Sequence, residues 1–395
     1  MSDKLLLWLS LTALYLIPPL GGADFALRPI YLFYLCIPFL PGKSQAIHDL
    51  RYYGLFMLAI MFSTAWGHAV FDVPISQADY MEAIKLLLPL LAYLFGHLFF
   101  SCYKSDFVQQ IAILAGVIIV ITGLQFFKIA NGFFSRIYSA DSQLAAALGL
   151  ETEYMRLVAV SGNPNDAGML FFFLQLFFLS AYFKKAEVIS ALSWAGCTLC
   201  LILTQSKTAY AAMALALILS CLLERKVAFL IIASIMTTCG FWWFSTDIAY
   251  VNNFMTAIKT EGLFSVNVFS VRFDNALRAM EIWQESRWLG WGVAKSIHPS
   301  IVDVEYFLLL RRYGLLGALC LTLFAASCLM QAYRKCSSHD HSTTICANFI
   351  FVATLCIPIF MSSNNFFSAY YNQYFYFMLL GLFAAAQQHR ARVSE

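Results

Sequence analysis

Charge is scarce in this chain. Only 12% of its 395 residues are Asp, Glu, Lys or Arg, while 61% are hydrophobic. A soluble globular protein carries about 25% charged residues and roughly 45–50% apolar ones. One chain of 44.5 kDa has too little interior to hide that excess, which excludes a soluble enzyme and a disordered chain. The net charge of +3 is too small to draw a polyanion, so nucleic acid is not expected as a partner. Alternation at period two is also missing: runs such as Ile111–Ile121 are continuously apolar, unlike the segments of a β-barrel. Neither a P-loop nor an Asp-x-Asp site is present on the side expected to be cytoplasmic, which argues against a nucleotide-sugar enzyme or an ATP-driven pump. Repeats, low-complexity tracts and linkers are lacking too, so residues 1–395 are read as a single domain. The first apolar run, Leu5–Leu20, lacks a small-x-small cleavage site and is expected to be a retained helix.

What the chain has is hydrophobic runs. At about 20 residues per crossing, they suit an all-α polytopic membrane protein of about 12 spans, since lipid offers no partner to an unpaired backbone group. The expected spans lie near 4–20, 25–41, 51–71, 83–103, 107–127, 167–183, 188–204, 208–223, 227–245, 313–333, 345–362 and 371–388. With both termini on one side, that side collects twelve basic and seven acidic residues, a net of +5, against thirteen and fifteen, a net of −2, on the other. The short connections holding Lys184 and Lys185, Arg225 and Lys226, and Arg334 and Lys335 are then cytoplasmic by the positive-inside rule. All eleven cysteines fall in spans or cytoplasmic connections, away from the side where an oxidising compartment would pair them. Cys197 and Cys200 have CxxC spacing inside an apolar span, where packing is expected.

Two long outer loops remain, about 128–166 and 246–312, and function is expected there. The first ends in Gly162-Asn163-Pro164-Asn165 as a helix begins. A turn, followed by a helix cap at Asn165 or Asp166, accounts for Asn163-Pro164-Asn165. It does not account for Arg156, seven residues upstream of Asn163; a guanidinium at a helix N-terminus suits phosphate oxygens. The second loop holds Arg272, Phe273, Ala276, Leu277, Met280 and Trp283 at helical spacing. That pattern describes an amphipathic helix at the membrane face, with Arg278 and Arg287 at lipid headgroups. A turn at Trp288–Gly292 follows, then His298, Asp303-Val304-Glu305-Tyr306, and Gly314–Gly317 at the start of a span.

Taken in order, these motifs resemble the bacterial O-antigen polymerase and O-antigen ligase superfamily. Those that carry the resemblance are Arg156 before Asn163-Pro164-Asn165, Thr204–Ala209 between two spans, Arg272-Phe273, Gly290-Trp291-Gly292, Asp303–Tyr306 and Gly314–Gly317. The likeness covers residues 150–320. It implies a membrane glycosyltransferase of the GT-C-like type with two large periplasmic loops. The implied reaction needs no metal and no cofactor. It transfers glycan from undecaprenyl pyrophosphate at the periplasmic face of a Gram-negative inner membrane. Ligases of the superfamily usually show a His-Asn pair where this chain has Asp303-Val304, so the polymerase branch is favoured. The ligase, moving glycan to lipid A–core, is the alternative within the class, and a lipid-linked sugar flippase the alternative outside it. Lys207 stands where Arg is more usual, and Ser286-Arg287 where Asn-Pro is common.

In a polymerase of this kind both donor and acceptor are undecaprenyl-pyrophosphate-linked oligosaccharides, and a chain-length regulator is an accompanying partner. Charge builds on the departing pyrophosphate, so Arg156 and Arg272 are expected to clamp it, with Lys207 as a third contact. Asp303 and Glu305 are the candidate proton acceptors, with helix capping as the plainer reading for both and His298 as a third candidate. Asn163, Asn165, Arg278 and Tyr306 are expected to contact substrate. His339-Asp340-His341 is read as a solvated connection, His68 and His97 as packed, and Tyr370, Tyr371, Tyr374 and Tyr376 as part of an interfacial belt.

Overall fold

The structure is a computed structural model describing residues 3–16, 50–129, 156–231, 267–298, 304–363 and 370–394, with positions 133, 233–235, 238, 256, 302, 366 and 367 between them. Its main elements are α1 (Asp3–Leu16), α2 (Arg51–Phe71), α3 (Gln77–Tyr103), α4 (Phe107–Phe126), α5 (Pro164–Lys185), α6 (Val188–Leu203) and α7 (Lys207–Leu223). These are followed by α8 (Asn267–Glu285), α9 (Glu305–Tyr333), α10 (His341–Met361) and α11 (Tyr370–Ser394).

Helix α5 is apolar all round, which places it at the centre of a bundle. Every residue from Ala167 to Ala181 is buried, and α4, α6, α7, α10 and α11 surround it. Its phenylalanines meet their neighbours mostly edge to face: Phe172 packs on Phe360 at 5.0 Å and Phe177 on Phe375 at 6.3 Å. Helices α3 and α11 approach until backbones touch. A Cβ on Gly96 would stand 1.9 Å from the Met378 carbonyl oxygen, and one on Gly381 would stand 1.9 Å from that of Tyr93, the small-residue packing that apolar helices use.

The expectation of about twelve spans in a GT-C-like architecture is overturned. Among the described residues five helices are long and apolar enough to cross a membrane: α2, α4, α5, α9 and α10. The apolar residues counted as further spans went elsewhere. Helices α6 and α7 have 16 and 17 residues and reach only ~24–26 Å at 1.5 Å per residue, short of a hydrocarbon core of about 30 Å. The run 83–103 belongs to a helix whose first turns carry Asp79, Glu82 and Lys85, leaving Leu87–Tyr103 as its apolar part. Helix α11 has polar ends and is buried by protein from Asn372 to Ala386. Helix α1 ends at Leu16, and most of the runs 25–41 and 227–245 lies outside the described residues. Nor is 246–312 simply a loop, since it contains α8 and the start of α9.

The five helices describe a multi-pass helical membrane protein, and the bundle's outer surface agrees. Met61 (66% exposed), Phe62 (65%), Leu192 (69%) and Val120 (61%) point outward with no protein to cover them, a periphery that suits lipid rather than water. Charge separates the two ends of the bundle. Lys184 pairs with Glu224 at 2.7 Å, and Asn348 donates to the same carboxylate. That gathers the C-terminal ends of α5 and α7 beside the basic residues Lys185, Arg225 and Lys226.

At the opposite end α9 is two helices joined at Gly314, whose φ of 59° and ψ of −163° break the ladder. The Trp288–Gly292 turn fills the break. Trp291 and Gly292 amides donate to the Arg311 and Arg312 carbonyls at 3.0 and 2.8 Å, and Leu315 and Leu316 amides donate to Arg287 and Trp288 at 2.9 and 3.0 Å. Four backbone groups that a kink would orphan are thus satisfied. A Cβ on Gly314 would lie 2.3 Å from the Trp288 carbonyl oxygen. Gly314→Ala should therefore destabilise the fold by about 1–2 kcal/mol for the left-handed backbone, plus the overlap, and so lower the thermal unfolding midpoint in detergent. Gly54→Ala and Gly116→Ala, where a Cβ would meet nothing within 4 Å, should unfold close to wild type. Equal midpoints for all three variants would show that the turn does not lock the kink.

Candidate functional site

The site grows from the N-terminus of α5. The Asn163 side chain accepts from the Asn165 amide at 2.8 Å, and Pro164 occupies the first turn with its φ already helical. The approach to this cap is buried: Leu157, Val158, Ala159 and Val160 are all covered. A buried backbone needs partners, and Gln125 of α4 supplies them to Ala159, accepting from its amide at 3.0 Å and donating to its carbonyl at 2.8 Å. The Leu157 amide donates to the Leu203 carbonyl at 3.3 Å. This clamp sets Arg156 over the turn between α6 and α7.

There the guanidinium donates to the Asn165 Oδ1 at 3.0 Å and to the Thr204 and Gln205 carbonyls at 3.3 and 3.4 Å. The turn sits hard against α5, since a Cβ on Gly168 would come within 2.7 Å of Ser206 and 3.0 Å of Ala209. Lys207 begins α7 immediately afterwards. Its ammonium is pushed down to about 8 by burial first, then by repulsion from Arg156 and from Arg272. Arg156, from the segment before α5, and Arg272, from α8, are therefore both near enough to disfavour the charge of Lys207.

The structure distributes the remaining expected residues unevenly. Asn163 and Asn165 belong to this cluster, Asn163 as cap and Asn165 as the Arg156 acceptor. Arg278 is exposed and lies about 240° around α8 from Arg272, so those two are not brought together. Glu305 starts α9, is 1% exposed, and accepts from the Phe367 amide at 2.8 Å through Oε1. Tyr306 donates its hydroxyl to the Pro358 carbonyl. Asp303 lies outside the described residues, as do Glu151 to Met155. His298 sits away from the cluster, edge-on to Trp291 at 5.2 Å, with its basicity lowered by burial and then by Arg311. Helix α8 differs from a freely floating interfacial helix: Ala276 and Ala279 are buried against protein while Phe273 and Leu277 stay exposed.

An apolar cavity of about 350 Å³ runs between α9, α10 and the start of α11, lined by Tyr306, Leu309, Pro358, Met361, Phe367 and Phe377 among others. Elsewhere α10 and α11 meet the elements of the cluster: Thr208, next to Lys207, meets the Ser363 hydroxyl, and Asn372 donates to the Asp166 carbonyl at 3.4 Å.

A second charged group was not anticipated from the sequence. Glu82 is buried and holds Arg312 at 3.4 Å, Lys85 at 3.0 Å and Lys295, and the Lys295 amide donates to Asp79 at 3.0 Å. Burial alone would raise the Glu82 carboxyl, but Lys85, Arg312 and Lys295 together hold it down at about 2. Its signal was visible as three charges interrupting an otherwise apolar run at Asp79, Glu82 and Lys85. No protein-family model matches the chain, and no curated protein matches it.

Two measurements check these electrostatics. A lysine titration followed by NMR should show Lys207 losing its proton near pH 8, and Arg156→Gln should move that midpoint upward because a repelling cation is gone. An unchanged midpoint would separate the two side chains. For Glu82 the folded carboxyl titrates below its unfolded value. Its stabilisation is complete above about pH 4.5 and is lost as pH falls towards 2. Glu82→Gln should remove that acid-limb dependence and destabilise the fold by about 3–5 kcal/mol, because it leaves buried cations unpaired; an unaltered acid limb would contradict the pairing.

Proposed function

We propose that this chain is a glycosyltransferase of the bacterial inner membrane that polymerises O-antigen or a related surface polysaccharide. It transfers glycan from undecaprenyl pyrophosphate onto the next lipid-linked repeat unit at the periplasmic face. The observation that carries the reading is the approach of Arg156, Lys207 and Arg272 at the N-terminus of α5. Cations that repel one another and also face a helix N-terminus are suited to an anionic guest. The apolar cavity between α9, α10 and α11 suits the isoprenoid that a lipid-linked sugar carries.

In this reading an acceptor hydroxyl attacks the anomeric carbon of the donor glycan. The bond from that carbon to the pyrophosphate oxygen breaks, and the electron pair leaves with undecaprenyl pyrophosphate. Arg156 and Arg272 neutralise the charge building on the leaving oxygens, and neither loses its proton at any working pH. The hydroxyl proton passes to a base. Glu305, which accepts the Phe367 amide on one oxygen, is one candidate. Asp303 completes the candidates. By the positive-inside rule the end carrying Lys185, Arg225 and Lys226 faces the cytoplasm with both termini, and the cation cluster faces the periplasm.

Polymerase is favoured over ligase by Asp303-Val304 in place of a His-Asn pair. His298 beside Arg311 is the feature that keeps the ligase reading in contention. A lipopolysaccharide gel from a deletion strain of the native host separates them. The polymerase reading expects core plus one repeat and no ladder, while core without any repeat would point to a ligase or a flippase. Complementation with Arg156→Ala or Arg272→Ala should fail to restore the ladder although each variant inserts normally. Wild-type ladders from both would remove the clamp.

A further inference from the structure

Arg311 is the most unusual charge among the described residues. Its side chain is 2% exposed, and its Nη2 has no hydrogen-bond partner. The neighbouring donors share that condition. Arg312, 8% exposed, engages Glu82 through Nη1 yet leaves Nε unpartnered, and the buried His298 Nε2 also lacks a partner. All three hang on one rigid frame. Arg311 and Arg312 lie just before the Gly314 break, their carbonyls tied to Trp291 and Gly292, and the Trp291 ring lies edge-on to His298. Repulsion from Arg311 reaches His298.

A buried guanidinium without a counter-charge is costly to a fold, and buried donors are normally satisfied. Two of the acids nearby are engaged: Glu82 holds three cations, and Asp79 binds the Ser76 hydroxyl and amide at 2.7 Å and the Lys295 amide. A third, Glu285, acts on His298 and is not among the charges acting on Arg311. The kink thus presents three donor atoms without partners.

We propose that Arg311, Arg312 and His298 form a second oxyanion site, separate from the Arg156–Lys207–Arg272 cluster, which takes the pyrophosphate of the acceptor substrate. The assignment to the acceptor rests on the function proposed above: a polymerase joins two substrates that both carry pyrophosphate, so one cationic site cannot hold both. Arg311 directs the oxyanion, and His298 meets it from the Trp291 turn. With the acceptor diphosphate anchored there, the sugar of that lipid projects towards the first cluster.

Calorimetric titration of inorganic pyrophosphate into purified protein in lipid-free detergent tests the site. Wild type should bind two equivalents. Arg311→Gln and Arg156→Gln should each lose one, and the double variant both. Because Arg311→Gln removes an unpaired buried charge, its unfolding midpoint without ligand should equal or exceed that of wild type. Two equivalents retained by Arg311→Gln would overturn the proposal, as would a single wild-type equivalent that only Arg156→Gln abolishes; the latter leaves the proposed function standing. Loss of one equivalent in Arg311→Gln with none lost in Arg156→Gln would instead sink the clamp and keep this site. Displacement of the Arg311-dependent equivalent by phosphatidylglycerol would assign the pocket to a lipid headgroup and overturn the acceptor role. Should Arg311→Gln fail to fold, the imidazole NMR signals of His298 in wild type decide. Pyrophosphate should shift them and raise the pH at which the ring protonates, and signals unmoved at saturation would refute the site.

Discussion

Burying positive charge is expensive, and the outer architecture of this protein is arranged around doing so. Arg156 and Arg272 both act against the charge of Lys207, and Arg311 lies buried with its Nη2 unpartnered. Neither group would hold its position on flexible loops. Each is fixed by backbone that has few alternatives: the Gln125 bracket on Ala159 for the first, the Gly314 break plugged by the Trp288–Gly292 turn for the second. The rest of the bundle supplies the rigidity. Its central helix α5 is buried on every side, and its backbone contacts at Gly96 and Gly381 leave no room for sliding.

Hydrophobic periodicity made the helices legible but not their number of crossings. A run of apolar residues reads alike whether lipid or protein covers it, and α5 and α10 are covered largely by protein. Length decided the matter for α6 and α7. The turn at Thr204–Ser206, which sits against Gly168, was legible as the break between two apolar runs, but the helices on either side have only 16 and 17 residues. That a cap lies close to Asn163-Pro164-Asn165 was legible because capping is local chemistry, but the expected cap, Asn165 or Asp166, is displaced to Asn163, since Pro164 already has a helical φ and starts the helix. Arg156 stood out for the same local reason.

Long-range pairings were not legible. Nothing in the order of residues places Glu82 against Lys295 and Arg312, more than two hundred positions away, and a charge in a helix's first turn reads as a dipole effect. Gly314 was read as part of a helix start, whereas it is a break whose function is to receive another turn. The glycines at 290 and 292, taken as a motif, are there for contact. A Cβ on either would lie within 2.6 Å of a backbone atom of α9 or α2.

On the function proposed here, the two cationic groups and the apolar cavity between α9, α10 and α11 would divide the chemistry of a lipid-linked sugar into headgroup and chain. That division requires the diphosphate to lie where Arg156, Lys207 and Arg272 come together while the isoprenoid follows α9 and α10. A cryo-electron microscopy map of the protein saturated with undecaprenyl pyrophosphate would test it most directly. The account predicts diphosphate density within hydrogen-bond distance, about 3 Å, of both Arg156 and Arg272, with chain density entering between Tyr306 and Met361. Diphosphate density bound elsewhere, with neither arginine in reach, would contradict it.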